Sequence, residues 1–176
     1  KHRLAPLHMC ASDLAYAAFK KMLDDGAVAA EDIDVLLYIT QSHDYIIPQT
    51  STILQHRLGL KNDILCFDLS QGCAGFVHGL FQAFMWLENP AIKTVAVVCA
   101  DVLSHKTNPR DRNSYPLVGD AASVCIVENS STNNEIYCYN KTFGEGALAL
   151  NIPAGGFKLP CSELTRREEE QEDGNI

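Results

Sequence analysis

The sequence predicts a layered α/β fold built on a mostly parallel mixed sheet. Apolar runs without polar alternation, at Val35–Thr40, Ile64–Phe67 and Thr94–Cys99, read as strands covered on both faces. The segments between them have helical length and spacing. Strands joined through helices give right-handed parallel crossovers. The 176 residues fit one domain, with a core large enough to fold without staples.

The first helix runs from a Ser12-Asp13 cap to about Asp25, with Leu14, Ala18 and Met22 on its apolar side and Gly26 as its stop. The strand at 35–40 follows. Pro48 opens a second helix that continues to Leu58 and halts at Gly59. The strand at 64–67 leads through a Gly-containing turn into a helix from Ala74 to Glu88. Phe76, Val77, Leu80, Phe81, Phe84, Met85 and Leu87 go most of the way around that helix. It is therefore expected between two layers, with its first turn deep and reached by a tunnel. Thr94–Cys99 and Ser123–Val127 are the next strands, and Ile136–Phe143 is expected to add antiparallel to the same sheet.

Apolar residues make up 47% and charged residues 20%, the balance of an ordinary globular protein. No apolar run approaches the ~20 residues that cross a bilayer, and the residues Lys1 to Pro6 lack the apolar stretch of a secretory signal. The net charge of −8 argues against a nucleic-acid partner. Part of it is local: Glu163 to Asp173 holds six acids against two arginines, as a solvated helix face or a mobile end does. The seven cysteines include no Cys-x-x-Cys pair and no accompanying His cluster. That speaks against a disulfide framework or a metal site and for a reducing, cytoplasmic setting.

One cysteine stands apart. Cys73 lies in Gly72-Cys73-Ala74-Gly75-Phe76, between the end of a strand and the start of a long helix. There it meets the unpaired N–H groups and positive dipole end of the helix, which favour thiolate over thiol. Taken alone, a buried structural cysteine explains this position as well as a nucleophile does.

A set of segments, in the right order along the chain, tips the balance. Gly72-Cys73-Ala74-Gly75-Phe76 resembles the nucleophile segment of the thiolase-fold condensing enzymes, most closely the β-ketoacyl-acyl carrier protein synthase III group. Ile33-Asp34-Val35 and the stretch from Pro48 to Gly59 are similar to that group's preceding strand and helix. Asn108-Pro109-Arg110-Asp111-Arg112, followed by Gly119-Asp120-Ala121-Ala122, resembles its substrate loop and Gly-Asp-Gly-Ala turn. Ile152-Pro153-Ala154-Gly155-Gly156 resembles a later surface loop. Two departures stand out: Ser70-Gln71-Gly72 replaces the usual Ala-rich lead to the nucleophile, and Ala121 replaces the second Gly of the turn.

The resemblance implies a thiolase-like layered fold, an α-β-α half of an α-β-α-β-α sandwich. Residues 1–176 would form its N-terminal half-domain, lacking the first strand and the whole C-terminal half. The group's catalytic His and Asn come from that second half, and none of the histidines at 2, 8, 43, 56, 78 and 105 matches them. Cys73 would take an acyl group from coenzyme A or a carrier protein and pass it to a malonyl thioester with loss of CO₂. The fragment alone would fail at that last step. Coenzyme A enters as part of the substrate, and no separate cofactor is implied. Arg112 matches a position that contacts the nucleotide of coenzyme A, where a guanidinium suits phosphate geometry. Ile47 matches a position that reaches into a partner subunit's acyl pocket. A homodimer is implied, and the short apolar strand Thr94–Cys99 is expected at its edge.

Asp120 is expected to bond turn amides rather than to carry protons. His78 lies five residues past Cys73, a poor placement for its base. His43 and Asp44 are close enough in sequence to pair. Acyl transfer to another acceptor, a hydroxymethylglutaryl-type condensation and a non-catalytic dimer partner remain open alternatives, the last disfavoured by a helix-start thiol that a scaffold does not need.

Overall fold

Every residue of Val35–Ile39 is buried, so the sheet is covered on both faces. In the computed structural model, which describes residues 3–132, 135–170, 172 and 174–175, this segment is β1. The elements are α1 (Ala11–Asp24), β1 (Val35–Ile39), α2 (Thr50–Leu58), β2 (Leu65–Leu69), α3 (Gly75–Leu87), β3 (Thr94–Asp101) and β4 (Ala121–Glu128), with short 3₁₀ turns between some of them. The strand order is β2-β1-β3-β4. β2 and β3 run parallel to β1, and β4 runs antiparallel to β3.

Alternation along β1 divides the core. Leu36 and Tyr38 face α1 and α2, packing with Phe19, Leu54, Ala96 and Val98. Val35, Leu37 and Ile39 face α3, packing with Ala83, Leu87, Val95 and Val97. Full burial of side chains such as Phe19 or Leu54 contributes about 1.5–3 kcal/mol each. The architecture is the three-layer α-β-α arrangement with a mostly parallel mixed sheet.

The helix starts differ from the sequence-based expectation for identifiable reasons. Cys10, not Ser12, is the N-cap of α1, and its N–H donates to Asp13 at 2.9 Å. Ser12 lies inside the helix, buried, with its hydroxyl on Asp44. α2 begins at Thr50 rather than Pro48, because a distant carboxylate caps it. Asp68 on β2 accepts the N–H groups of Thr50 and Ser51 at 2.7 and 2.8 Å, a negative charge at the positive helix end. Gly59, at φ +66°, closes α2 in the left-handed conformation.

Three expectations are corrected. β3 is an interior strand, bonded to β1 on one side and β4 on the other, so Thr94–Cys99 is no exposed edge. β2 is the open edge beside β1. Residues 136–143 form no strand; Tyr137 and Tyr139 are exposed, and Asn140 and Thr142 border a groove over Phe67, Phe81 and Trp86. The described part of the acidic stretch forms turns, not a helix; Gln171 and Asp173 lie outside the described residues.

Candidate active site

β2 ends at Leu69, and the N–H of Gln71 turns back onto its carbonyl at 3.0 Å. The N–H of Gly75 donates to the Gly72 carbonyl at 2.7 Å, and His78 makes a helical bond to Ala74 at 3.0 Å. Cys73 thus precedes the N-cap residue Ala74 of α3. It sits where first-turn N–H groups lack helical partners, the arrangement that holds a developing oxyanion.

Close approach of backbone explains the glycines on either side. A Cβ on Gly75 would lie 2.7 Å from Ile39 Cγ2, and one on Gly79 would lie 2.4 Å from Ile39 Cδ1. α3 is therefore pressed onto β1 along a stripe of small residues, Gly75, Gly79 and Ala83, followed by Leu87, all buried. A Cβ on Gly72 would lie 2.7 Å from the side-chain amide of Gln41. Gln41 is set in turn by Asp101 at the end of β3, whose Oδ1 accepts the Gln41 N–H at 2.7 Å and the hydroxyls of Thr40 and Ser42 at 2.9 Å each. Sequence reading missed Gln41 and Asp101, which carry no local motif.

Cys73 is exposed, not deep. The outer face of α3 is open too: Phe76, Val77, Phe81 and Met85 are 39–59% exposed. The helix is apolar all round, yet only its small-residue side meets the sheet, and no described element covers the other side. Cys66 and Cys99 are partly buried, where Cys73 is exposed. Burial pushes both thiols up, and Asp68 and Asp101 respectively push in the same direction, so both are held in the unreactive form.

The three residues picked out by sequence sit on three successive loops, each following the C-terminal end of a parallel strand. Ile47 follows β1 and is 82% exposed. Cys73 follows β2. Arg112, also exposed, lies in the connection between β3 and β4. In open α/β sheets this edge is where ligands bind.

Asp120 is structural, as expected. It accepts the N–H of Ala5 at 2.7 Å and both the N–H and hydroxyl of Ser104. Burial works against its charge, but the Ser104 and Ala5 bonds outweigh it and hold the carboxyl below the usual carboxylate range. Asp44 bonds Ser12, not His43. His2 lies outside the described residues. Among the described residues no group of three or more His, Cys, Asp or Glu is placed to hold a metal ion, and no helix is long and apolar enough to cross a membrane.

Residues 67–142 match the family described as 3-oxoacyl-[acyl-carrier-protein] synthase III. The chain is 33% identical over 171 residues to the β-ketoacyl-[acyl-carrier-protein] synthase III of Fusobacterium nucleatum, covering 97% of this chain and 52% of that protein. The enzyme of the same name from Caldanaerobacter subterraneus is 36% identical over 166 residues, covering 94% and 50%. A crystal structure of a 3-oxoacyl-(acyl-carrier-protein) synthase III superposes with a TM-score of 0.93 at 36% identity, over 99% of this chain and 52% of that one. The chain is thus similar to these synthase III proteins over nearly its whole length. A 3-oxoacyl-(acyl-carrier protein) synthase from Burkholderia xenovorans gives a TM-score of 0.81 at 29% identity, over 89% of this chain and 45% of its own. The chain spans about half the length of the curated relatives it matches.

Proposed function

We propose that the whole protein is a cytoplasmic 3-oxoacyl-acyl carrier protein synthase of the synthase III type, and that Cys73 carries the acyl group. One observation bears most of the weight: the thiol stands at the start of α3 on a turn fixed by Gly72, Gln41 and Asp101, in a chain whose matched relatives bear this enzyme's name. The Cys73 thiolate attacks the thioester carbonyl of an acyl-coenzyme A. A C–S bond forms at Cys73, the bond to coenzyme A breaks, and the departing thiolate takes a proton. A malonyl-acyl carrier protein then loses CO₂, and its α-carbon attacks the acyl-enzyme carbonyl. Cys73 is expelled as thiolate and a β-ketoacyl thioester leaves.

In this reading Arg112 faces the donor's phosphates. The open apolar face of α3 receives the second half of the protein, which shuts Cys73 away from water and brings the groups that run decarboxylation. The open edge of β2 supports a homodimer, with Ile47 reaching the partner's acyl pocket. The test is condensation by the full-length protein with acyl-coenzyme A and malonyl-acyl carrier protein. One CO₂ released per β-ketoacyl product agrees with the proposal. Acyl transfer without CO₂ release contradicts it and favours another acceptor.

A further inference from the structure

Asn175 is polar, yet it is only 9% exposed. It is bonded to the loop that carries Arg112. Asn175 Oδ1 accepts the backbone N–H of Arg112 at 2.9 Å, and its Nδ2 donates to Asp111 Oδ1 at 2.8 Å. One amide thus bridges a donor and an acceptor on adjacent residues, 63 and 64 positions away in sequence. The same Asp111 carboxylate accepts the N–H groups of Asn113 and Ser114 at 2.9 and 3.2 Å, and the Ser114 hydroxyl. Bonds from Ser114, then Asn175 and Asn113, hold its carboxyl well below the usual carboxylate range. A second contact lies nearby: Glu168 pairs with Arg110 and accepts from Asn108 at 3.1 Å.

The two contacts differ in weight. The Arg110–Glu168 pair is open to water on both sides, 62% and 49% exposed, and such pairs hold little. The Asn175 bridge is shielded and bidentate, and it grips the main chain of Arg112 itself. We infer that Asn175 is a positioning residue for donor binding, clipping the 111–114 turn so that Arg112 is presented to an anionic phosphate group of the acyl donor. This rests on the donor role proposed above for Arg112.

The experiment measures steady-state kinetics of the full-length protein with acyl-coenzyme A and with acyl-pantetheine, which lacks the nucleotide. The variants are Arg112→Ala, Asn175→Ala, the double variant, and Asn175→Ser as a second, milder replacement. Rates of trypsin cleavage after Arg110 and Arg112 are followed in parallel. Arg112→Ala is expected to raise KM for acyl-coenzyme A about tenfold to a hundredfold while sparing acyl-pantetheine. Asn175→Ala, losing one neutral hydrogen bond and one to the Asp111 carboxylate, is expected to raise it about three- to tenfold with the same donor selectivity and to speed cleavage of the loop. It adds nothing when Arg112 is already gone. Equal effects of Arg112→Ala on both donors overturn the role of Arg112 and the inference with it. Donor selectivity in Arg112→Ala but not in either Asn175 variant, unchanged cleavage, or additive effects in the double variant overturn the role of Asn175 alone.

Discussion

The Asp101 carboxylate accepts the backbone N–H of Gln41 at 2.7 Å, tying the end of β3 to the residue that lies under the Cys73 turn. The Cys73 turn is therefore placed from two neighbouring strand ends as well as from its own helix.

Asp101→Ala removes one acceptor shared by Thr40, Gln41 and Ser42, and Thr40 is fully buried. Stability measured by urea unfolding is expected to fall by about 1–3 kcal/mol, and acylation of Cys73 to slow. Asp101→Asn keeps an oxygen in place and retains most of both. Equal losses in the two variants would show that the negative charge, not the acceptor, is what matters.

Gly75→Ala tests the close approach of α3 to β1. The added methyl meets Ile39 Cγ2 at 2.7 Å. That atom hangs from Cβ of a β-branched residue only 3% exposed, so it has little freedom to yield. A loss of about 1–3 kcal/mol is expected in denaturant unfolding. The combination with Ile39→Ala should cost less than the two single changes added together.

Acid sensitivity follows from Asp34 and Asp120. Burial opposes the charge of Asp34, but Lys61 at 2.7 Å and the N–H groups of Lys93 and Thr94 outweigh it and lower its pKa. Asp120 is lowered in the same way. A carboxyl depressed in the folded state adds stability that is present above its unfolded pKa, about 3.9, and is lost as pH falls through the lower folded value. Thermal melts should therefore drop steeply below about pH 4. Asp34→Asn and Asp120→Asn should each lower stability at neutral pH and flatten that acid slope; an unchanged slope would contradict the assignment.

Much of this was legible in the sequence. Unbroken apolar runs such as Val35–Ile39 announced buried parallel strands, and the glycines around Cys73 announced the turn from β2 into α3. What escaped was whatever depends on partners distant in the chain. Asp68 moves the start of α2, Asp101 places Gln41, and Asn175 grips the Arg112 turn, each across many residues without a local pattern. The all-round apolar surface of α3 reads in sequence as burial between two layers, yet only its inner side is covered by a described element and Phe76, Val77, Phe81 and Met85 stay open. Strand order is equally silent in sequence: Thr94–Cys99 looks no different as an edge than as the centre of the sheet it occupies.

The homodimer proposal places pairing on β2. The Leu65 N–H and Leu69 carbonyl turn inward to Asp34 and Thr40, so alternation along the strand leaves the backbone of Cys66 and Asp68 facing outward. Cys66→Pro should block pairing while sparing the β1 ladder, shifting light scattering from dimer to monomer with unchanged circular dichroism. Ile47→Trp should shorten the acyl chains accepted only while the dimer persists. A wild-type protein that is an active monomer contradicts the pairing.

The most direct test of the acyl-carrier role is intact-mass and peptide mapping after brief incubation of the full-length protein with a short acyl-coenzyme A. One acyl group on Cys73, absent from Cys73→Ala, is the predicted result. An adduct that survives Cys73→Ala, or that maps mainly to Cys66 or Cys99, would contradict it.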